Sequence, residues 1–421
     1  MGITRMFLIV GLLLQFLIAC KDDRVNTIEL SKDIYGRKLN TYKNIDCINR
    51  NSCVSNAFEL KQALVNREEH IILKNGYYDL GVIEVDYPVK ISSSELGGAI
   101  VTGSSYVKIT ANDVVIEGLA FLNGGSPSGG TSEDRHGAIF ISSNHVLIEN
   151  NFFESIGINT PLEDKTGIGI LISGSQDIII NNNTFKNSQA IAIASGDYSK
   201  YIRVIYNDFL NSYYFGGAGE VVHFGDATSV RQGEPPFLDD TYHEFANNFV
   251  SNWNLEKELI SIKSNKNKIY NNYFRNNSFS AIVVRMGNDN QIFNNVMVGN
   301  SIFPFRISGE RNLFENNKVC GSGAAVSLHA EMVYTEFRPD LYNSYWAAKD
   351  NVFQGNRFYG YNKLAILDEG DATASDYLAS YPENNVFKNN VFVSKDYFDA
   401  SFPGTVLLNN LILHDHVKCP F

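Results

Sequence analysis

The chain has 421 residues, of which 44% are hydrophobic, so it is long enough to bury a large core. Its formal net charge of −11 argues against nucleic acid as a partner and gives no global attraction for an acidic polymer. An anionic ligand would therefore need a local group of basic side chains.

The first twenty residues have the pattern of an export signal. Arg5 precedes an apolar run from Met6 to Ala19, and the run ends in Leu-Ile-Ala-Cys, which resembles a lipobox. The run is too short to span a membrane. We therefore predict a lipoprotein signal peptide over residues 1–20, with a lipid anchor on Cys20. An outer-membrane lipoprotein on the cell surface or the periplasmic side is the expected location, and residues 21–54 form a linker and N-terminal segment.

Four further cysteines are open to different interpretations. Cys47 and Cys53 are six residues apart and could form a small disulfide in an oxidising compartment. Cys320 and Cys419 are far apart in the sequence and could be free thiols. The spacing of the cysteines and histidines does not suggest a zinc site.

Residues 55–65 predict a short helix before the main repeat. Ala57, Leu60 and Leu64 would share one face after an N-cap at Ser55. Such a helix could cover the open end of a stacked β-structure.

A strand, an asparagine and a second short strand recur along most of the chain. The marker asparagines 248, 272, 295 and 317 are separated by 24, 23 and 22 residues. This period, with β-branched and aromatic residues and no helical pattern, indicates stacked coils. The predicted fold is all-β, a right-handed parallel β-helix forming one domain over residues 55–421.

The asparagines have a structural explanation. Asparagine tolerates left-handed backbone angles, and its amide can hydrogen-bond to the asparagine of the next coil. Larger gaps between the marker asparagines predict long loops at residues 233–242 and 332–348. Such loops would line a binding face.

Strand alternation predicts a basic stripe on one outer face. Lys263, Arg285, Arg306 and His329 each neighbour inward-facing residues and are spaced by 22, 21 and 23 residues. They should therefore stack about 4.8 Å apart, with His223 exposed on an earlier coil. Stacked cations repel one another, and a bound anionic polymer would relieve the repulsion.

Glu256 and Glu258 share the parity of Ile260 and would point into the core on an unbroken strand. Two unpaired buried carboxylates are costly, so we predict a turn before Leu259 that leaves both at the base of the stripe. Their oxygens suit calcium, although charge pairing with the nearby basic residues is an alternative.

These motifs resemble polysaccharide lyase family 6, the chondroitinase B and alginate lyase family. The resemblance rests on Glu-x-Glu-x-Ile-x-x-Lys-Ser at Glu256–Ser264, on Arg-x-Gly at Arg285–Gly287 and on Arg306–Gly309. It implies β-elimination from a uronic acid polymer, with Lys263 as the base that removes the C5 proton. Arg285 would stabilise charge or protonate the leaving oxygen.

The resemblance also implies calcium on Glu256 and Glu258, where it would bind the substrate carboxylate. The family supplies a further asparagine ligand from an earlier coil. Residues 216–220 contain no asparagine here, so Glu220 would take that place. Met286 stands where the family typically has histidine. His223, Arg306 and His329 are the expected substrate-binding residues.

The function implied is cleavage of alginate, or next of dermatan sulfate. A non-catalytic glycan-binding β-helix using the same stripe is the alternative. A hydrolase would need paired carboxylates, for which Asp239 and Asp240 are the one adjacent pair on a long loop, without a partner motif.

Overall fold

The computed structural model describes most of the chain beyond residue 41, and all of these residues belong to one compact unit, Asn40–Phe421. The predicted signal peptide and Cys20 lie outside the described residues, as do Glu256 and Asp239, and most of the two predicted loops. The described residues are 42–47, 52–103, 105–123, 137–157, 168–189, 191–196, 198–212, 219–225, 240–255, 258–277, 280–299, 303–334, 346–369, 376–395, 397–414 and 419.

The described part of the chain contains one helix, α1 (Ala57–Val65), and is otherwise built from short strands. The first half of the strands comprises β1 (Cys53–Val54), β2 (His70–Leu73), β3 (Gly76–Tyr78), β4 (Val82–Val85), β5 (Lys90–Ser93), β6 (Ala99–Val101), β7 (Tyr106–Ile109), β8 (Val115–Glu117), β9 (Ala120–Leu122), β10 (Ile139–Ile141), β11 (Leu147–Glu149), β12 (Phe152–Glu154), β13 (Ile168–Ile172), β14 (Ile179–Asn181), β15 (Thr184–Ser188), β16 (Ile191–Ser195), β17 (Arg203–Ile205), β18 (Asp208–Ser212) and β19 (Val222–Phe224). The second half comprises β20 (Glu244–Ala246), β21 (Phe249–Ser251), β22 (Glu258–Ile262), β23 (Lys268–Tyr270), β24 (Tyr273–Arg275), β25 (Ser280–Val284), β26 (Gln291–Phe293), β27 (Val296–Val298), β28 (Phe305–Ile307), β29 (Leu313–Glu315), β30 (Lys318–His329), β31 (Glu331–Tyr334), β32 (Val352–Gln354), β33 (Arg357–Asp368), β34 (Asp376–Ser380), β35 (Asn385–Lys388), β36 (Val391–Ser394), β37 (Thr405–Leu408) and β38 (Leu411–His414).

The strands stack into three parallel faces. The first face is a 14-stranded sheet in the order β1-β2-β5-β8-β11-β14-β17-β20-β23-β26-β29-β32-β35-β37. The second face runs from β3 to β38, and the third runs from β4 to β28. The long strands β30 and β33 bend across the last two faces and join them into one 22-stranded sheet. One coil thus contributes, for example, β20, β21 and β22 in turn, which confirms the predicted parallel β-helix.

The core lies inside the coils and is filled by rows of like side chains. Phe121, Phe153, Phe185 and Phe209 stack with ring centroids 4.9, 4.6 and 5.0 Å apart. The 14-stranded sheet of the first face begins with β1 at Cys53. A separate antiparallel pair, β31 with β34, lies outside the stack. The described residues contain no helix that is long and apolar enough to cross a membrane.

Helix α1 lies where it was expected, but its cap is Asn56 and not Ser55. The Asn56 side chain accepts a hydrogen bond from the Glu59 backbone at 2.9 Å, and the Glu59 carboxylate accepts one from the Ser55 backbone at 2.6 Å. This reciprocal arrangement satisfies two backbone donors at the start of the helix. Leu60 and Ala63 enter the core cluster at the first coil.

The asparagine ladder is confirmed, with its two tasks divided between neighbouring residues. The first asparagine of each pair takes the left-handed backbone, as at Asn271 with φ 56°. The second faces inward and makes the ladder. Asn272 donates to Asn295 at 2.9 Å and to the Phe245 carbonyl at 2.8 Å, and it accepts from the Asn248 backbone at 2.9 Å.

We expect Asn272→Ala to destabilise the fold by about 3 kcal/mol, because it leaves a buried backbone donor and a buried carbonyl without partners. Asn271→Ala is the matched control and should cost about 1 kcal/mol, the penalty for a left-handed non-glycine residue. Urea unfolding followed by circular dichroism measures both. Equal losses would contradict the division of tasks.

A second ladder lies at the end of the third face and begins with a histidine. His243 Nδ1 accepts a hydrogen bond from the Ile202 backbone at 3.1 Å, and the His243 backbone donates to Asn267 at 2.9 Å. Later coils place asparagine in this position, beginning with Asn267 and Asn290. Complete burial lowers the pKa of His243 to about 3.

This pKa predicts a loss of stability on mild acidification. The folded pKa lies below the ordinary 6.5, so the unfolded chain takes up a proton that the folded chain rejects. The His243 contribution is complete above pH 6.5 and falls by about 1.4 kcal/mol per pH unit below it, until pH reaches about 3. We expect His243→Asn to show a flatter profile between pH 6.5 and 5 in urea unfolding. Parallel profiles would contradict the assignment.

Both cysteine pairs within the described residues are bonded. Cys47 and Cys53 form the small disulfide considered from the sequence, with Cα atoms 5.8 Å apart. Cys320 and Cys419 also form a disulfide, so the expectation that they are free is wrong. The second bond ties the end of the chain to β30, which the sequence separation of 99 residues concealed.

Candidate functional site

The predicted basic stripe is two parallel columns and not one. On the third face, Ile262 pairs with Val284, Val284 with Ile307, and Ile307 with Leu328. The residues that follow these, Lys263, Arg285, Ser308 and His329, therefore form one column. Arg306 and His223 lie two residues earlier in register, in a second column that also holds Ser261, Val283 and Ser327.

The expectation that these basic residues are exposed is also wrong for two of them. Lys263 is 7% exposed and His329 is 1% exposed. His223, Arg285 and Arg306 are half-buried. Strand alternation predicts on which face of the strand a side chain lies. It does not predict how far that side chain is covered by the rest of the protein.

Lys263 joins His223 and Glu220 in a chain of contacts. Its Nζ lies 3.0 Å from His223 Nε2. On the other side of the ring, His223 Nδ1 lies 3.5 Å from Glu220 Oε1. The amine of Lys263 is thus held at one end of a polar chain that starts at a buried carboxylate.

Glu220 is ionised despite being 3% exposed. Burial raises its pKa, but the hydrogen bond and charge of His223, its own backbone N–H and the charge of Lys263 together lower the pKa to about 2. Its stabilising contribution is therefore present above the ordinary 4.5 and lost as pH falls towards 2.

Glu258 is the first residue of β22, so the predicted turn before Leu259 is wrong. Leu259 and Ile260 both enter the core, which breaks the strand alternation and leaves Glu258 on the outer side with Ser261. The Ser261 hydroxyl donates to Glu258 Oε2 at 2.7 Å. Arg306 Nη1 lies 3.7 Å from Glu258 Oε1. This buried carboxylate therefore has two partners and does not carry the cost expected of an unpaired one.

Glu220 and Glu258 occupy equivalent positions on successive coils. Val222 pairs with Ile260, and the Val221 backbone donates to Leu259 at 2.8 Å, so extending this register places Glu220 opposite Glu258. Glu220 Oε2 is buried without a hydrogen-bond partner. Carboxylate oxygens of this kind fit a hard cation. The described residues contain no group of three such ligands, and Glu256 lies outside them.

Arg306 ends in a cluster that the sequence did not predict. Its Nε donates to Asp368 Oδ2 at 2.5 Å, and the Ser327 hydroxyl donates to the same oxygen at 3.2 Å. Asp368 Oδ1 lies 3.6 Å from His329 Nε2. Burial lowers the pKa of His329 and outweighs the opposing charge of Asp368, while Arg306 and Arg285 lower it further. His329 is therefore neutral at neutral pH.

Two motif glycines have a packing role. A Cβ at Gly287 would approach the Ser264 carbonyl oxygen to 2.3 Å, and one at Gly309 would approach the Gly287 carbonyl oxygen to 2.3 Å. Glycine at positions 287 and 309 therefore allows the turns that follow Arg285 and Ser308 to stack closely. Met286, which lies between Arg285 and Gly287, is 2% exposed and therefore buried.

Comparisons with known proteins agree with this architecture. The sequence matches the family profile described as Chondroitinase B over residues 54–363. A comparison with curated proteins finds no significant match.

Solved structures share the fold at low sequence identity. A PL6 alginate lyase in complex with a trisaccharide has a TM-score of 0.68 at 18% identity, covering 89% of this chain and 87% of its own. The alginate lyase AlyF-OU02 with G6 has a TM-score of 0.67 at 19% identity, covering 86% and 83%. The PL6 family polysaccharide lyase Pedsa3628 from Pseudopedobacter saltans has a TM-score of 0.67 at 21% identity, covering 86% and 92%. The family match over most of the chain, supported by the shared fold, shows that this chain belongs to the Chondroitinase B family of polysaccharide lyases, family 6.

Proposed function

We propose that the protein cleaves alginate, or next a dermatan sulfate-like polymer, by β-elimination, with Lys263 as the base. The observation that carries this proposal is the Lys263 amine, which is nearly buried and lies 3.0 Å from His223 Nε2. Arg285 follows it one coil later in the same column. We prefer alginate as the substrate because two of the solved structures with this fold are those of alginate lyases.

In the proposed reaction, Lys263 Nζ takes the proton from C5 of a uronate. The electron pair of that C–H bond forms the C4–C5 double bond, and the bond between C4 and its glycosidic oxygen breaks. Arg285 stabilises the charge that develops or helps to protonate the leaving oxygen. The products are a shortened chain and a chain whose new end is unsaturated.

The base must be neutral when it acts. An ordinary lysine has a pKa of about 10.4, which leaves little free amine at neutral pH. Burial and neighbouring cations favour the neutral form, and both are present at Lys263, with Arg285 one coil away. The buried Glu220 carboxylate acts in the opposite direction unless its charge is neutralised.

We propose that calcium supplies this neutralisation, held by Glu220, Glu258 and Glu256. The unpartnered Glu220 Oε2 and its register with Glu258 support the first two ligands. A bound calcium ion would attract the substrate carboxylate and make the C5 proton more acidic. His223 and Arg306 would contact the substrate from the second column.

A glycan-binding protein without turnover is the second candidate. Its supporting observation is Met286, which is buried and carries no polar group where the family typically has histidine. Hydrolysis has less support, because Asp240, one of its two candidate carboxylates, is ion-paired with Lys266 at 2.6 Å.

The test is the near-ultraviolet absorbance of the unsaturated product when the purified protein is mixed with alginate or with dermatan sulfate. We expect a steady rise with alginate. Binding of alginate without any rise would support the second candidate and overturn the proposed lyase activity.

A further inference from the structure

Asp368 interrupts the basic columns at their far end. It pairs in register with His329 and so continues the column of Lys263, Arg285 and Ser308. Four strand-to-strand steps separate the Lys263 position from Asp368, about 19 Å at the usual strand spacing. The next residue, Glu369, is exposed. Along the outer face that carries the two columns, which we call the groove, the column that begins with Lys263 and Arg285 thus ends beside the carboxylates of Asp368 and Glu369.

Arg306 is ion-paired with Asp368 at this end of the columns. Its guanidinium lies between Glu258, whose Oε1 is 3.7 Å away, and Asp368, whose Oδ2 is 2.5 Å away. Asp368, the nearer of the two carboxylates, directly offsets the charge of this guanidinium. The neighbouring His329 is neutral at neutral pH, because burial lowers its pKa.

Asp368 is also accessible to a ligand. Its side chain is 19% exposed and that of Arg306 is 21% exposed, so both reach the surface of the groove. A uronate carboxylate next to Asp368 would meet a like charge at short range, in a partly desolvated setting that strengthens the repulsion.

We propose that Asp368 is a specificity-determining residue that ends the anion-binding groove. A chain of uronates that lies along the columns from Lys263 either ends before Asp368 or places beside Asp368 a sugar whose carboxylate faces away from it. This inference rests on the proposed function. A blocked groove end favours attack near a chain end, and Asp368 would supply such a block by its charge.

The experiment measures binding of alginate oligomers of increasing length by calorimetry. Lys263→Ala serves as the parent, so that the oligomers are not consumed. Asp368→Asn on this parent keeps an oxygen that can accept from Arg306 but removes the charge. We expect roughly fivefold tighter binding of the longer oligomers, the effect of removing one nearby like charge, and unchanged binding of the shortest. The gain should shrink as salt is raised.

Asp289→Asn on the same parent is the matched control, because Asp289 is a partly exposed carboxylate that pairs with Arg311 at 3.0 Å in the turns before the first-face strands β26 and β29. It should leave all affinities unchanged. Equal affinities at every length for Asp368→Asn would overturn the inference. Weaker binding at every length would also overturn it, and would assign Asp368 only to positioning Arg306. A parent that binds no alginate oligomer of any length would overturn the proposed function and the inference with it.

Discussion

Lys263→Ala is expected to reduce kcat on the polymer by between about 10²- and 10⁴-fold, the usual contribution of a general base. The variant removes the amine that lies 3.0 Å from His223 Nε2 and leaves the strand in place. Because the polymer is also held by the rest of the groove, KM should change little. Initial rates of near-ultraviolet absorbance measure both constants.

Lys266→Ala is the matched control for this substitution. Lys266 lies three residues further along the chain, is partly exposed and pairs with Asp240 at 2.6 Å. Its loss should leave kcat unchanged and cost little stability. Full activity in Lys263→Ala would exclude this lysine as the base and direct attention to His223.

Removal of calcium is expected to have the second largest effect. If the ion is bound by Glu220 and Glu258, chelator should lower both the rate and the thermal midpoint of the wild-type protein, and added calcium should restore both. Binding at one hundred times the dissociation constant would stabilise the fold by about 2.7 kcal/mol. Glu220→Gln keeps the shape of the side chain but should abolish the calcium-dependent rise in midpoint.

Glu244→Gln separates this effect from a general loss of negative charge. Glu244 lies on the first face and pairs with Arg203 at 3.1 Å, away from the proposed ligands. It should retain the full calcium response. A calcium response that is unchanged in Glu220→Gln would show that the ion is held elsewhere.

The fold could be predicted because its signals are local and repeated. The paired asparagines mark each turn, and the interval between coils is nearly constant. The same interval correctly placed Lys263 and Arg285 on neighbouring coils. The expectation failed for Arg306, because residues two apart on a strand face the same way. Alternation therefore cannot distinguish one column from the next, and the distinction needs the strand pairing itself.

Other features of the site depend on contacts that the repeat does not encode. The inward turn of both Leu259 and Ile260 breaks the alternation and brings Glu258 to the outer side. Glu220 and Glu258 lie at equivalent positions because of the register between their coils, although they are far apart in the sequence. Asp368 comes after a long interruption of the repeat, so coil spacing could not align it with His329. The burial of Lys263 likewise reflects the packing of neighbouring coils.

The central claim is elimination, and the fate of water oxygen tests it most directly. The protein would be incubated with alginate in water enriched in heavy oxygen, and the products analysed by mass spectrometry. Elimination predicts unsaturated products that contain no oxygen from the solvent when the new reducing ends are chemically reduced at once, because no water is added across the cleaved bond and reduction stops exchange at the hemiacetal. Saturated products, with one heavy oxygen from water in one of the two fragments of each cleaved bond, would show hydrolysis and contradict the account.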